Sequence, residues 1–127
     1  MNKITTVKLI KLPNPYGRTY PSEVLENAVK QCQKQIDECG LYVGKRCPSH
    51  VIESIDIIGI IKKLTIRDDG VYGDIEFLDT PAYKEVIETI KNIPNKLVSD
   101  SFTIVGLGTV KDDVVQSDYE ITGAYFV

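Results

Sequence analysis

The chain has 127 residues and a mass of 14.2 kDa, with 43% hydrophobic and 26% charged residues, enough for one hydrophobic core and too little for two. A net charge of −3 and a pI near 5.1, with lysines and arginines scattered along the chain, argue against a nucleic-acid surface. No apolar run reaches the roughly 18 residues of a membrane helix, and the start lacks the apolar core of a signal peptide, so one domain over residues 1–127, made in the cytoplasm, is expected.

Residues 4–12 read as a strand, with Thr6, Lys8, Ile10 and Leu12 on one side and Val7, Leu9 and Lys11 on the other. Neither side is wholly polar, which predicts cover on both faces. Pro13, Pro15 and Gly17 break the strand into a turn. Ser22 is the expected cap of a helix over residues 23–39, and Gly40 its stop. Val24, Leu25, Ala28, Val29, Cys32 and Ile36 recur at helical spacing and predict its buried stripe. Cys32, Cys39 and Cys47 lack CxxC spacing, and a single histidine leaves a zinc site short of ligands. Reduced structural thiols, with no metal and no cofactor, are the expectation.

Residues 41–50 read as irregular. An isoleucine-rich stretch over residues 51–66 follows, with Gly59 marking a bulge or a break between two strands. Asp68-Asp69-Gly70 is a hairpin signal. The return strand, residues 71–78, turns Ile75 and Phe77 inward and Glu76 outward. Thr80 and Pro81 cap and open a second helix with Tyr83, Val86, Ile87 and Ile90 on its apolar face, ended by Pro94. Two long strands, residues 97–110 and 114–127, complete an order β-α-β-β-α-β-β. The predicted class is α+β: a small, mainly antiparallel barrel or curled sheet with two flanking helices.

Three groups of residues carry a resemblance: Asn14-Pro15-Tyr16-Gly17-Arg18-Thr19-Tyr20-Pro21, then Gly70-Val71-Tyr72-Gly73-Asp74 leading to Thr80-Pro81, then Leu97-Val98-Ser99-Asp100-Ser101. In this order they resemble the landmarks of tailed-phage prohead (capsid maturation) proteases, and the likeness runs from residue 14 to the final segment 118–127. The resemblance implies a serine nucleophile on the strand that starts at Leu97, activated by a histidine placed just before a proline. An imidazole suits that task because its pKa lies near the working pH.

The chain departs from the pattern at each of those landmarks. Gly44-Lys45-Arg46-Cys47-Pro48 has no histidine, and the only one, His50, lies downstream. A shift of two or three positions on an extended segment moves a side chain by about 7 to 10 Å, whereas proton transfer needs about 3 Å. Asp100 and Phe102 stand where small or basic neighbours of the serines are usual, and a carboxylate there opposes a developing oxyanion. Tyr125 stands where a late aspartate is usual. By alternation alone, Ser99 and Ser101 read as polar residues on the solvent side of a strand. Gly106-Leu107-Gly108 precedes no helix and makes a poor phosphate loop.

The first reading is therefore a noncatalytic auxiliary or minor capsid protein on a prohead-protease-like fold, found in the phage head and in host cytoplasm during assembly. Its partners would be the major capsid protein or other head proteins, with a homo-oligomer possible because related proteases often dimerise. Edge strands at residues 4–12 and 114–127 are the expected sites of β-augmentation. The alternative is an active prohead protease using Ser99 with His50 to cleave scaffold and capsid precursors. An unrelated α+β binding module is a third reading.

Overall fold

A computed structural model describes residues 4–14, 17–38, 40–45 and 56–126. The elements are β1 (Ile4–Lys11), α1 (Ser22–Glu38), β2 (Leu41–Gly44), β3 (Ile57–Arg67), β4 (Gly70–Phe77), α2 (Pro81–Lys91), a single 3-10 turn (Val98–Asp100), β5 (Phe102–Leu107), β6 (Val110–Lys111), β7 (Val114–Val115) and β8 (Glu120–Phe126). Six strands form one sheet in the order β1-β4-β3-β2-β8-β5, and β6 and β7 form a separate hairpin. All neighbours in the large sheet are antiparallel except β2 and β8, which run parallel. The sheet curls until Thr103 of β5 donates its hydroxyl to the Leu9 carbonyl of β1 at 3.4 Å, so its two ends face each other.

The α+β class, both helices and the curled sheet match the sequence reading. Four local expectations do not. Residues 41–44 are a strand, β2, because a Leu41-x-Val43 alternation buries both side chains within the sheet. The two long C-terminal strands are broken: residues 97–101 turn before β5 begins, and residues 108–119 leave the sheet as the β6–β7 hairpin. The helix cap lies one residue early, since the Pro21 carbonyl accepts from the amide of Leu25 and Ser22 is the first helical residue. Finally, β1 is not covered on both faces, for Ile4 and Thr6 are exposed. A bulge between Lys8 and Ile10 reverses its phase, which buries Val7, Leu9 and Ile10 from one side and produces the two-sided pattern.

A second bulge has the same effect in β3. The register shifts twice along β3, at Ile58 against β2 and at Lys62 against β4, and the buried residues Ile58, Ile61 and Leu64 accordingly stand three apart instead of two. Gly59 is needed for close approach, since a Cβ there would stand 2.9 Å from the Glu76 carbonyl oxygen. The 51–55 part of the predicted strand lies outside the described residues.

The β3–β4 hairpin turns on Asp68 and Asp69, and Gly70 opens β4, where a Cβ would meet the Ile10 carbonyl oxygen at 2.1 Å. Thr80 accepts from the Tyr83 amide at 3.1 Å and donates to the Ile57 carbonyl at 2.9 Å, which caps α2 and ties it to β3. Gly40 sits at φ 76 just past α1, its amide bonded to the Gln35 and Ile36 carbonyls. The buried stripes of both helices join the inward residues of the sheet in one core.

Candidate functional site

Leu97 to Ser101 form the only described segment that carries the serine pair, and a turn rather than a strand holds it. The Leu97 carbonyl accepts from the Asp100 amide at 3.2 Å and from the Ser101 hydroxyl at 2.5 Å, while the Ser101 amide donates to the Val98 carbonyl at 3.2 Å. Ser101 is fully buried, so the expected solvent-facing position is wrong for it. A buried hydroxyl needs a partner, and the tight turn supplies one locally. Ser99 is half-buried within the turn, and the carboxylate of Asp100 beside it is exposed.

An aromatic row anchors this turn. Phe102 lies 5.6 Å from Phe77 and 5.9 Å from Phe126 between ring centroids, Phe77 lies 5.2 Å from Tyr83, and the Lys96 ammonium sits 4.8 Å over Phe126. The bulky neighbour that departs from the protease pattern is thus a core residue, with Phe102 only 4% exposed.

His50, Cys47 and Pro48 lie outside the described residues. The two ends of that stretch are described: the Lys45 amide donates to the Asp56 carbonyl at 2.7 Å, and the Lys45 ammonium pairs with Glu85 of α2. Gly44 pairs with Tyr125 of β8, and Tyr125 also pairs with Thr103 of β5. One strand therefore separates the base of the histidine segment from the start of the serine strand. Tyr125 is half-buried and lines, with Arg18 and Tyr20, a cleft of about 560 Å³ over Thr103 and Ile104.

The Asn14 to Pro21 landmark is a brace. Gly17, at φ 83, donates to the Asn14 carbonyl at 3.1 Å and turns the chain. Thr19 then bonds the β6–β7 hairpin through the Asp113 carbonyl at 2.7 Å and the Val115 amide at 2.9 Å. Tyr20 packs edge-on to Tyr119 at 5.7 Å. Burial of Tyr119 pushes its phenol well above the ordinary range. Sequence reasoning missed this contact, although Gly106 and Gly108 signalled it: a Cβ on Gly106 would lie 2.5 Å from the Tyr119 ring, and one on Gly108 2.9 Å from the Tyr119 Cα. Asp118, expected at the start of the last strand, instead accepts from the Thr109 amide at 2.9 Å and hydroxyl at 2.6 Å, which holds its carboxyl below the usual range.

Cys32 lies on the buried stripe of α1, as expected, and its thiol donates to the Val29 carbonyl at 3.2 Å. Desolvation raises its pKa, the behaviour of a structural thiol. Among the described residues no group of three or more His, Cys, Asp or Glu side chains is arranged to hold a metal, and no helix is long and apolar enough to cross a membrane.

No protein-family model matches the chain, and no curated protein matches it in sequence. Among solved structures, the bacteriophage T4 capsid assembly protease, gp21, superposes on it with a TM-score of 0.75, over 99% of this chain and 83% of that one. The fold is similar to that of this capsid assembly protease. At 18% identity the likeness concerns the capsid-protease fold alone, and chemistry has to be argued from the serine turn.

Proposed function

We propose that the chain is a noncatalytic auxiliary or minor capsid protein that uses a capsid-protease fold to bind the phage shell. The observation that carries this reading is the state of the serine pair. Ser101 is buried and its hydroxyl is committed to the Leu97 carbonyl, while Ser99 sits in a 3-10 turn beside an exposed carboxylate. A nucleophile needs a base on one side and oxyanion donors on the other. The proline-adjacent position of the base holds Cys47, and Asp100 contributes charge of the wrong sign for the donors.

Shell proteins, foremost the major capsid protein, are the natural partners of such a fold, which would act in the phage head and in host cytoplasm during assembly. β1 stands at an end of the sheet and is available for strand addition. The last strand does not have that role: β8 lies between β2 and β5, so its removal would take out an internal strand. The second edge is β5.

One observation favours the active-protease alternative. The described ends of the segment carrying His50 meet at the Lys45–Asp56 bond, a single strand away from the start of β5. Ten residues, 46–55, lie between those ends, and an extended chain covers roughly 3.3 Å per residue, so length permits His50 to reach Ser99. Co-sedimentation of the purified protein with assembled heads of its phage tests the shell-binding reading. Retention on the heads without cleavage of head proteins is expected, and absence from the pelleted heads would contradict it.

A further inference from the structure

The inference drawn here rests on the shell-binding reading and concerns the chemistry of the contact. Thr103 and Tyr125 are paired across β5 and β8, and the Asn14–Pro21 brace brings Arg18 and Tyr20 to the same place, which makes the cleft of about 560 Å³. That volume lies inside the range of about 300 to 1,000 Å³ common to ligand sites. Arg18, Tyr20, Ile104 and Tyr125 also line a smaller cleft of about 220 Å³ that reaches Tyr119. Burial raises the pKa of the Tyr119 phenol, and the Arg18 guanidinium is close enough to oppose that rise. Among the described residues, Arg18 has no ion pair, and the hydroxyls of Tyr20, Tyr119 and Tyr125 have no hydrogen-bond partner in the protein. Asp113 lines the larger cleft without pairing to Arg18. One cation and three phenols, all able to donate, therefore surround a space in which nothing accepts from them.

Donors of this kind select an oxyanion. A guanidinium holds a carboxylate through two parallel hydrogen bonds, and a phenol hydroxyl can add a third. A phosphate dianion suits the cleft less well, because Asp113 places a like charge in it. Ile104 and the tyrosine rings give apolar contact to the carbon chain that carries the carboxylate. A neighbouring cleft of about 480 Å³ shares Tyr20, Thr103 and Ile104 with this one and continues to Lys11, so the two form a groove long enough for several residues, with a second exposed cation at its far end. We propose that this groove receives an acidic, extended segment of a shell protein, with a carboxylate seated between the Arg18 guanidinium and the hydroxyls of Tyr20 and Tyr125. The segment lies over β5 rather than between strands, and the Thr103–Leu9 bond that joins β5 to β1 stays in place.

Two measurements test the assignment: a nuclear magnetic resonance titration of the isotope-labelled protein, and co-sedimentation with assembled heads. The probes are the α-amide of N-acetyl-glutamate, which carries a side-chain carboxylate, N-acetyl-leucine, which carries a terminal one, and inorganic phosphate. A carboxylate probe should give saturable shifts at the Arg18 Nε–H and at the amides of residues 18–20 and 103–105, and the tighter of the two tells side chain from chain terminus. Those shifts should vanish in Arg18→Gln, and Arg18→Glu should bind heads at least about ten-fold more weakly. Arg18 is exposed, so both variants leave the core intact. Absence of shifts with either carboxylate, or equal shifts with phosphate, would overturn the carboxylate site. Undiminished sedimentation of Arg18→Glu would overturn its role at the shell, although shell binding stands. If the wild-type protein does not sediment, the shell-binding reading falls and takes the partner with it, and the titration alone then upholds or overturns the carboxylate site.

Discussion

The β1-β4-β3 half and the serine end of the sheet solve the same folding problem differently. In the first, polar groups on the outer surface are tied across strands and to the hairpin turn: Thr6 donates to Asp74 at 2.6 Å, Tyr72 donates to Asp69 of the turn at 2.8 Å, and Lys8 and Arg67 flank the Tyr72 ring at 5.5 and 4.4 Å. At the serine end, a short turn leads into a six-residue strand, β8 carries a bulge opposite Val105 and Gly106, and the outer edge of β5 meets β1 through the Thr103–Leu9 bond and no ladder. The protease-like landmarks around Tyr72 and Thr80 lie in the tied half, where hairpin and helix-cap chemistry account for them. The departures at Asp100, Phe102 and Tyr125 gather at the end of the sheet where the resemblance would put the serine nucleophile. Landmarks retained in the scaffold therefore speak for folding, and only the serine end speaks for activity.

The largest test of that contrast is Phe102→Ala, which removes the middle of the aromatic row. A loss of about 3 to 5 kcal/mol in urea unfolding is expected for a buried phenylalanine, with early loss of hydrogen-exchange protection in β5 and β8 rather than in the β3–β4 hairpin. Gly106→Ala should cost about 1 to 3 kcal/mol by overpacking against Tyr119, and Tyr119→Val, which clears the space, should make the alanine tolerable. Ser101→Ala should cost about 1 kcal/mol through the lost buried hydrogen bond, whereas Ser99→Ala should stay within about 0.5 kcal/mol of wild type. Equal costs for the two serines would contradict the assignment of Ser101 as the structural member.

The smallest effect is that of pH. The carboxyl of Asp69 is held below its ordinary 3.8 by the Tyr72 hydroxyl and then by Lys8, and that of Asp118 by the Thr109 hydroxyl and amide. A depressed folded pKa contributes stability that is present above the ordinary value and lost as pH falls through the folded one. The urea midpoint should therefore drop below about pH 4, as paired carboxylates protonate. Tyr72→Phe should shrink the share of that drop belonging to the tied half, and Thr109→Val the share belonging to the β5–β8 connection.

Much of the architecture was legible in the residues. Helical spacing from Val24 to Ile36, the Thr80-Pro81 start and the Asp68-Asp69-Gly70 turn each carry a local physical signal that tertiary packing left in force. Glycine marked the register shift beside Gly59, whereas the bulges at Leu9 and Lys62 are set between strands and carry no such residue. The phase reversals at Leu9 and Lys62 could not be read from alternation, nor could the parallel pairing that puts β8 inside the sheet. At the candidate site, Ser99 and Ser101 were identified but their surroundings were not. A buried serine and an exposed one look alike in a Val-Ser-Asp-Ser run until the turn that closes on Leu97 is known.

The central claim is that the serine turn is chemically idle, and a fluorophosphonate probe measures this most directly. Intact protein, Ser99→Ala and His50→Ala are incubated with the probe and adducts are read by mass. No adduct above that of the Ser99→Ala variant is predicted; a stoichiometric adduct on Ser99 that disappears in His50→Ala would contradict the account and establish a working hydrolase.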